Sequence, residues 1–395
     1  MPISRPETPD GRNVDPEVGR LMGEGAQQHV RGIAEPHGPE IASAVPTDTA
    51  GEGTYYGLPL LKEPVWKWYI PAYFYVGGVA GAAAVLGAAA QLATGHASPG
   101  RLRRRVPASE HRLIGRCRMI ATGGAAASAA LLIADLGRPE RFLNMLRVIR
   151  PSSPMNMGAW FLSAFGGCCA ASTLPHLLPS RRWQRQVSDT AALLAGIMGL
   201  PLCTYTGVLI ANTAVPIWHG TRRTLPVLFA ASGAAGAASL LELWSPRGEG
   251  DRIVHRFGTA GKALEVALMA VLEREAAGVP EVVQPLRRGA SGALWRAAQA
   301  LSVASLVCTL AGGRRWSRRA AGLLGTLGAV AVRFAILQAG RASSRDPRAT
   351  HAQQRAGRGA ADVVTQKEKD RADASHPTLR GEEVRMGMEH ANRGL

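Results

Sequence analysis

Apolar residues in this chain gather into eight stretches separated by polar connectors: Tyr69–Thr94, Met119–Leu136, Met157–Leu178, Thr190–Ala214, Leu225–Trp244, Thr259–Ala276, Ser291–Gly312 and Ala320–Gly340. A helix rises about 1.5 Å per residue, so about 20 residues cross a hydrocarbon layer about 30 Å thick. The stretches reach or approach that length. None alternates with period two and all are dominated by Ala, Gly and Leu, which predicts helices rather than strands. The expected fold is therefore an all-α integral membrane protein of eight transmembrane helices. The first five are the clearest; the sixth carries Lys262 and Glu265, the seventh begins near Arg296 and the eighth holds Arg333. Gly77, Gly78, Gly81, Gly87, Gly233 and Gly236 read as packing positions, because small residues let helices approach closely in lipid.

Composition changes the picture at the ends. A mean hydropathy of 0.00 looks soluble, but it averages the apolar stretches with two polar tails. Residues 1–52 and 342–395 lack periodicity and aliphatic content and are expected to be disordered, leaving residues 53–341 as the membrane domain. Met1–Asp10 has no apolar core, so the first span is expected to serve as an uncleaved insertion signal. The net charge of +17 sits in connectors and the C-terminal tail, where orientation and lipid contact account for it better than nucleic acid does. Connectors after the odd-numbered spans hold seventeen Arg against nine in the opposite set. The excess predicts that the odd set is cytoplasmic and that both termini face outward from the inner (cytoplasmic) membrane. The basic C-terminal tail argues the other way.

The five cysteines, at 117, 168, 169, 203 and 308, form no CxxC pair. No iron–sulfur cluster or haem is expected in this chain, since clusters need grouped thiolates and a buried haem needs axial ligands on facing helices. His176 and His219 read as solvated or capping residues.

With eight spans, several distant pieces reach one membrane face: the approach to the first span (YYGLPLLKEPVWKW), the connector Asp135–Gly158, the end of the fourth span around Tyr205, and Trp218-His219. The connector DLGRPERFLNMLRVIRPSSPMNMG is rich in Arg and Pro. Asp135 and Arg138 are three apart at a helix end, spaced either to lock the loop as an ion pair or to touch a ligand. Arg141, Phe142, Arg147 and Arg150 suit lipid phosphates or an acidic partner surface. Glu242, Lys262, Glu265 and Arg333 lie at membrane depth, where charge is costly and a functional role is the first hypothesis. They read either as a proton path or as a buried ion-pair cluster that holds helices together.

The runs GTYYGLPLLKEPVWKW followed by YIPAYFYVGGVAGAAAVL, DLGRPERFLNMLRVIRPSSPMNMGAW, and YTGVLIANTAVPIW resemble the NrfD/PsrC family, the membrane subunits of polysulfide-reductase-type molybdoenzymes. The resemblance covers roughly residues 53–245. It implies eight helices in two four-helix bundles, binding of menaquinone or ubiquinone, and docking of a ferredoxin-like iron–sulfur subunit that connects to a molybdopterin catalytic subunit. Tyr205, in the YTG motif, matches the family's quinone-binding tyrosine; its alternative role is an interfacial aromatic. The family also presents Asn and His before the first helix. Here that stretch reads Lys62-Glu63-Pro64-Val65-Trp66-Lys67, so Glu63 or Lys67 becomes the hydrogen-bonding or proton partner, while Trp66 and Trp68 serve the ligand or anchor the interface.

The resulting expectation is a membrane quinone-binding subunit that exchanges electrons between the quinone pool and a polysulfide reductase-like or formate dehydrogenase-like partner. It would have no catalytic metal centre of its own. The competing classes are a transporter or channel of two helical halves, and a quinone-free anchor. A transporter should show an internal repeat and a midplane polar site, and no repeat is evident between the two halves.

Overall fold

The computed structural model describes residues 59–94, 108–136, 140–151, 153–177, 182–244, 249–312 and 315–357. Arg138 and both expected tails up to residue 58 and beyond 357 lie outside them. The regular elements are all helices: α1 (Tyr69–Ala93), α2 (Ala108–Asp135), α3 (Glu140–Met145), α4 (Pro154–Leu177), α5 (Arg182–Ala211), α6 (Pro216–Gly220), α7 (Leu225–Trp244), α8 (Glu249–Ala276), α9 (Pro280–Arg287), α10 (Gly289–Ala311), α11 (Arg315–Arg345) and α12 (Pro347–Arg355).

Each of the eight apolar stretches falls in one long helix. Six, α1, α2, α5, α7, α10 and α11, are long and apolar enough to cross a membrane; α8 carries Lys262, Glu265 and charged ends that lower its hydropathy. The long helices sort into two sets by contact, α1, α2, α4 and α5 in one and α7, α8, α10 and α11 in the other, with α1 and α5 packing on α7 across the join. The short helices α3, α6, α9 and α12 occupy the connectors at the end where α1 begins, called here the near rim; the far rim is where α1 ends.

Glycine decides how closely the two sets meet. A β-carbon on Gly81 would come within 2.7 Å of the Gly199 carbonyl oxygen on α5, and one on Gly233 of α7 within 2.8 Å of the Gly78 carbonyl oxygen. Helix α1 therefore touches α5 and α7 backbone to backbone at positions three apart, which only residues without side chains permit.

Polarity is distributed opposite to that of a water-soluble protein. Ile197, Leu200, Val307, Leu310, Leu323 and Leu327 are exposed, whereas Lys262, Glu265 and Arg333 are buried. An apolar periphery around a partly polar interior is what a hydrocarbon solvent selects. Exposed tryptophans mark both ends, Trp68 at the near rim and Trp183, Trp244 and Trp316 at the far rim, as expected of interfacial aromatic belts.

The structure departs from expectation at the C-terminus. Helix α11 continues to Arg345, and α12 follows, past the boundary expected near Ala342. Over residues 347–355 the polar composition belongs to a capped rim helix: Asp346 accepts from the Arg348 backbone N–H at 2.9 Å, and Ala349, Thr350 and Gln353 are buried.

Candidate functional site at the near rim

Residues 59–68 run without regular secondary structure over the near rim before α1 starts, and the C-terminal end of α11 holds them there. Arg345 grips the Glu63 carboxylate with two hydrogen bonds, 2.8 and 2.9 Å; Arg341 lies 4.0 Å from the same carboxylate and donates to the Trp66 carbonyl. Glu63 is thus engaged by arginines rather than free, a partnership across 282 positions of sequence. The restraint sets Trp66 against Trp218 of α6, stacked at 5.7 Å and 17°, and edge-on to Phe74 at 6.3 Å. Trp218 is fully buried and donates to the Ile336 carbonyl at 2.8 Å. Trp66 is therefore part of an aromatic wall, while Trp68 is the exposed interfacial residue.

Lys67, next in the segment, lies against Asp135 at the end of α2, close enough to interact through its charge and its backbone N–H. The pairing expected of Asp135 with Arg138 has no described counterpart, since Arg138 is outside the described residues; among the described residues Lys67 is the cation beside Asp135.

Tyr205 sits near the end of α5, four residues after Pro201, which leaves the Ile197 carbonyl without its helical donor. Its hydroxyl donates to the Pro154 carbonyl at the start of α4, and its ring covers Gly158, where a β-carbon would strike it. Tyr73 of α1, 3 % exposed, is the neighbouring phenol, near enough to interact electrostatically with Tyr205. Among the described residues the Tyr73 hydroxyl makes no hydrogen bond. Tyr73 went unnoticed in the sequence because YIPAYFYV offers three tyrosines with no sign of which one faces inward; helix packing alone singles out Tyr73.

The connector after α3 is ordered by α4. Asn156 accepts from the Arg150 backbone at 2.8 Å and donates to the Met145 carbonyl at 2.6 Å, and Trp160 donates to Val148 at 3.5 Å. This presents Arg147 and Arg150 with exposed Leu143, Val148 and Ile149. Phe142 is only half-buried, and the Arg141 side chain lies outside the description. His219, expected to be solvated or capping, is buried beside Gln353 of α12 at 3.4 Å; the side chain of His176 is not described. A separate open cleft of about 600 Å³ between α9 and α12 is lined by Arg287, Arg288 and Arg348 and by none of the expected ligand residues.

The four ionisable residues at membrane depth also come together, in the interior of the second helix set. Lys262 donates to Glu242 at 2.6 Å and to Thr309 at 2.8 Å. Glu265, fully buried, interacts through its charge with both Arg333 and Lys262, and Arg333 donates to the Phe229 carbonyl at 2.8 Å with its guanidinium 4.0 Å from the Phe229 ring centre. Among the described residues no three His, Cys, Asp or Glu side chains group as metal ligands.

A multi-pass helical membrane protein with an aromatic and tyrosine-bearing rim is the class these features define. The chain belongs to the NrfD family: the family model described as "Polysulphide reductase, NrfD" matches residues 59–272, from the segment over the near rim through most of α8. No curated protein matches the chain.

Proposed function

We propose that the near rim binds the head of a membrane quinone and that this chain exchanges electrons between the quinone pool and a peripheral iron–sulfur/molybdopterin oxidoreductase. The observation that carries the reading is the meeting of two phenols, Tyr73 and Tyr205, with the Trp66–Trp218 stack and the Lys67–Asp135 pair at one membrane surface. A quinone head is a flat apolar ring with two carbonyl acceptors, and when bound it supplies two-electron, two-proton redox chemistry. The residues present suit it. Aromatic walls bury the ring, the unpartnered Tyr73 hydroxyl is a donor for one carbonyl, and Lys67 with Asp135 can hold and pass a proton at the water boundary. Tyr205, anchored on Pro154, fixes the α4–α5 edge of the proposed site. Menaquinone and ubiquinone both meet these requirements.

The connector bearing Arg147 and Arg150 among exposed Leu143, Val148 and Ile149, with Arg141 and Phe142 on α3, is the proposed seat of a ferredoxin-like iron–sulfur subunit. A basic and apolar surface beside the ligand suits an acidic carrier that must approach within tunnelling distance. Family membership supports this assignment of partners.

The test is solvent extraction of quinone from the purified full-length chain. Near-stoichiometric quinone that falls severalfold in Tyr73→Phe and Tyr205→Phe, with helical content intact, is the expected result. Quinone-free protein, or full retention in both variants, overturns the reading in favour of a membrane anchor.

A further inference from the structure

Between α9 and α12 the near rim holds an open cleft of about 600 Å³, a volume typical of small-ligand sites. Its charges line it without meeting. Arg287, Arg288 and Arg348 stand in the cleft with Glu281 and Asp346, yet among the described residues the one ion pair they form is that of Arg287 with Glu273 of α8, at 3.2 Å. The Asp346 carboxylate is engaged in capping α12, where it accepts from the Arg348 backbone N–H.

The arginine end of the cleft is fixed by its backbone. The Arg288 N–H donates to the Gln284 carbonyl at 2.9 Å, Arg296 to the Arg287 carbonyl at 2.8 Å, and the Ser291 hydroxyl to the Pro285 carbonyl at 2.7 Å. These bonds hold the turn from α9 into α10. Glu281 lies in the first turn of α9, six residues before Arg287 and about 9 Å away along the helix, with Gln284 between them. The cleft therefore offers guanidinium forks at one end of α9 and a carboxylate with an amide toward the other.

Counting Glu273, three guanidiniums are balanced by three carboxylates. A ligand of one sign would leave part of this set uncompensated, whereas a zwitterion answers both ends. A phosphate suits the planar arginine forks, and an ammonium suits Glu281 and the Gln284 side-chain carbonyl. The surroundings say what carries the two groups. On α8, Leu264, Ala267 and Val271 share an exposed apolar face, and Ala277, which lines the cleft, follows Val271 by six residues, about 9 Å of rise. An acyl chain lying on that face leads to a headgroup in the cleft.

We propose that the α9–α12 cleft binds a phospholipid whose headgroup joins a phosphate to a primary ammonium, the phosphatidylethanolamine class, with the phosphate on Arg288 and Arg348 and the ammonium on Glu281. The lipid ties α9 to α12 and so braces the C-terminal end of α11, from which α12 is separated by Asp346 alone. This site lies apart from the proposed quinone-binding residues and does not depend on them.

The test is native mass spectrometry of the delipidated full-length chain in detergent, titrated with single lipids. Phosphatidylethanolamine should bind roughly tenfold more tightly than phosphatidylcholine, whose trimethylammonium has no N–H to give Glu281. Glu281→Gln should erase most of that preference. Arg288→Gln/Arg348→Gln should weaken phosphatidylethanolamine binding roughly tenfold relative to the charge-matched Arg223→Gln/Arg252→Gln, since the phosphate loses two charge-assisted donors. All four of these arginines are exposed, and helical content checks that each variant is folded. Binding of phosphatidylethanolamine no tighter than phosphatidylcholine, a result that needs no variant, overturns the proposal, as does equal binding by the two double variants. Tighter binding of phosphatidylglycerol than of phosphatidylethanolamine would refute the ammonium contact. Displacement of the lipid by an equal concentration of free phosphoethanolamine would assign the cleft to a soluble ligand and refute the lipid.

Discussion

Lys262 has no exposure to solvent and one carboxylate, Glu242, as its direct counter-ion at 2.6 Å. Removing one member of such a pair leaves the other charged and buried, which costs about 3–5 kcal/mol, whereas replacing both by apolar residues is close to neutral. Lys262→Met is therefore expected to lower the thermal midpoint of the detergent-solubilised protein sharply, and the Lys262→Met/Glu242→Leu double variant to recover most of the loss. A double variant as unstable as the single would show that the pair is not the source. Arg345 behaves differently: it is largely exposed although it grips Glu63 twice, and exposed pairs contribute little to stability. Arg345→Ala should leave the midpoint nearly unchanged while speeding proteolysis near residues 59–63, since Glu63 then keeps only Arg341, 4.0 Å away, whereas Trp66 stays stacked on Trp218. Equal cleavage of variant and parent would rule out the clamp. Residue chemistry of this kind was only half legible in the chain. Glu242, Lys262, Glu265 and Arg333 stood out because charge in an apolar stretch is conspicuous; Tyr73, Ser302 and Arg341 did not, because tyrosines, serines and arginines are ordinary near helix ends and in small-residue helices.

Among the elements, α1 determines the packing of the rest. Its backbone contacts with α5 at Gly81 and Gly199 and with α7 at Gly78 and Gly233 leave no space for a side chain. Gly81→Leu should force α1 and α5 apart and reduce folded yield in membranes, while Gly123→Leu on α2, where a β-carbon meets nothing within 4 Å, should be tolerated; comparable yields of the two would refute the argument from close approach. The connector after α3 offers a milder test. Asn156 bonds both Arg150 and Met145, so Asn156→Ala is expected to raise amide hydrogen exchange across residues 146–151 with the eight long helices unaffected. Element positions were the most legible level. Each apolar stretch corresponds to one helix, since twenty apolar residues in sequence carry their transfer free energy locally. The extension of α11 and the presence of α12 were not legible, because hydropathy registers burial in lipid and is silent about a polar helix that caps a rim through Gln353 and His219.

For the whole molecule, the inverted distribution of polarity and the exposed tryptophans at both ends agree with a membrane protein crossing several times, and the family match over residues 59–272 says which kind. What the chain determined by itself is axial: which segments cross, where they begin and end, and which residues stand at the same depth or on the same rim. Helical rise converts residue number directly into depth, so Tyr205, Trp66 and Asp135 could be assigned to one surface without a fold. What only tertiary structure decided is lateral: that Asp135 meets Lys67, that Glu63 is held by Arg345 from 282 residues away, that Tyr73 is the phenol beside Tyr205, and that Ser232 on α7 and Ser302 on α10 face Glu265. These depend on the rotation of each helix about its axis and on its choice of neighbours, and both are settled by packing of small residues summed over the whole assembly rather than by any local preference of the chain.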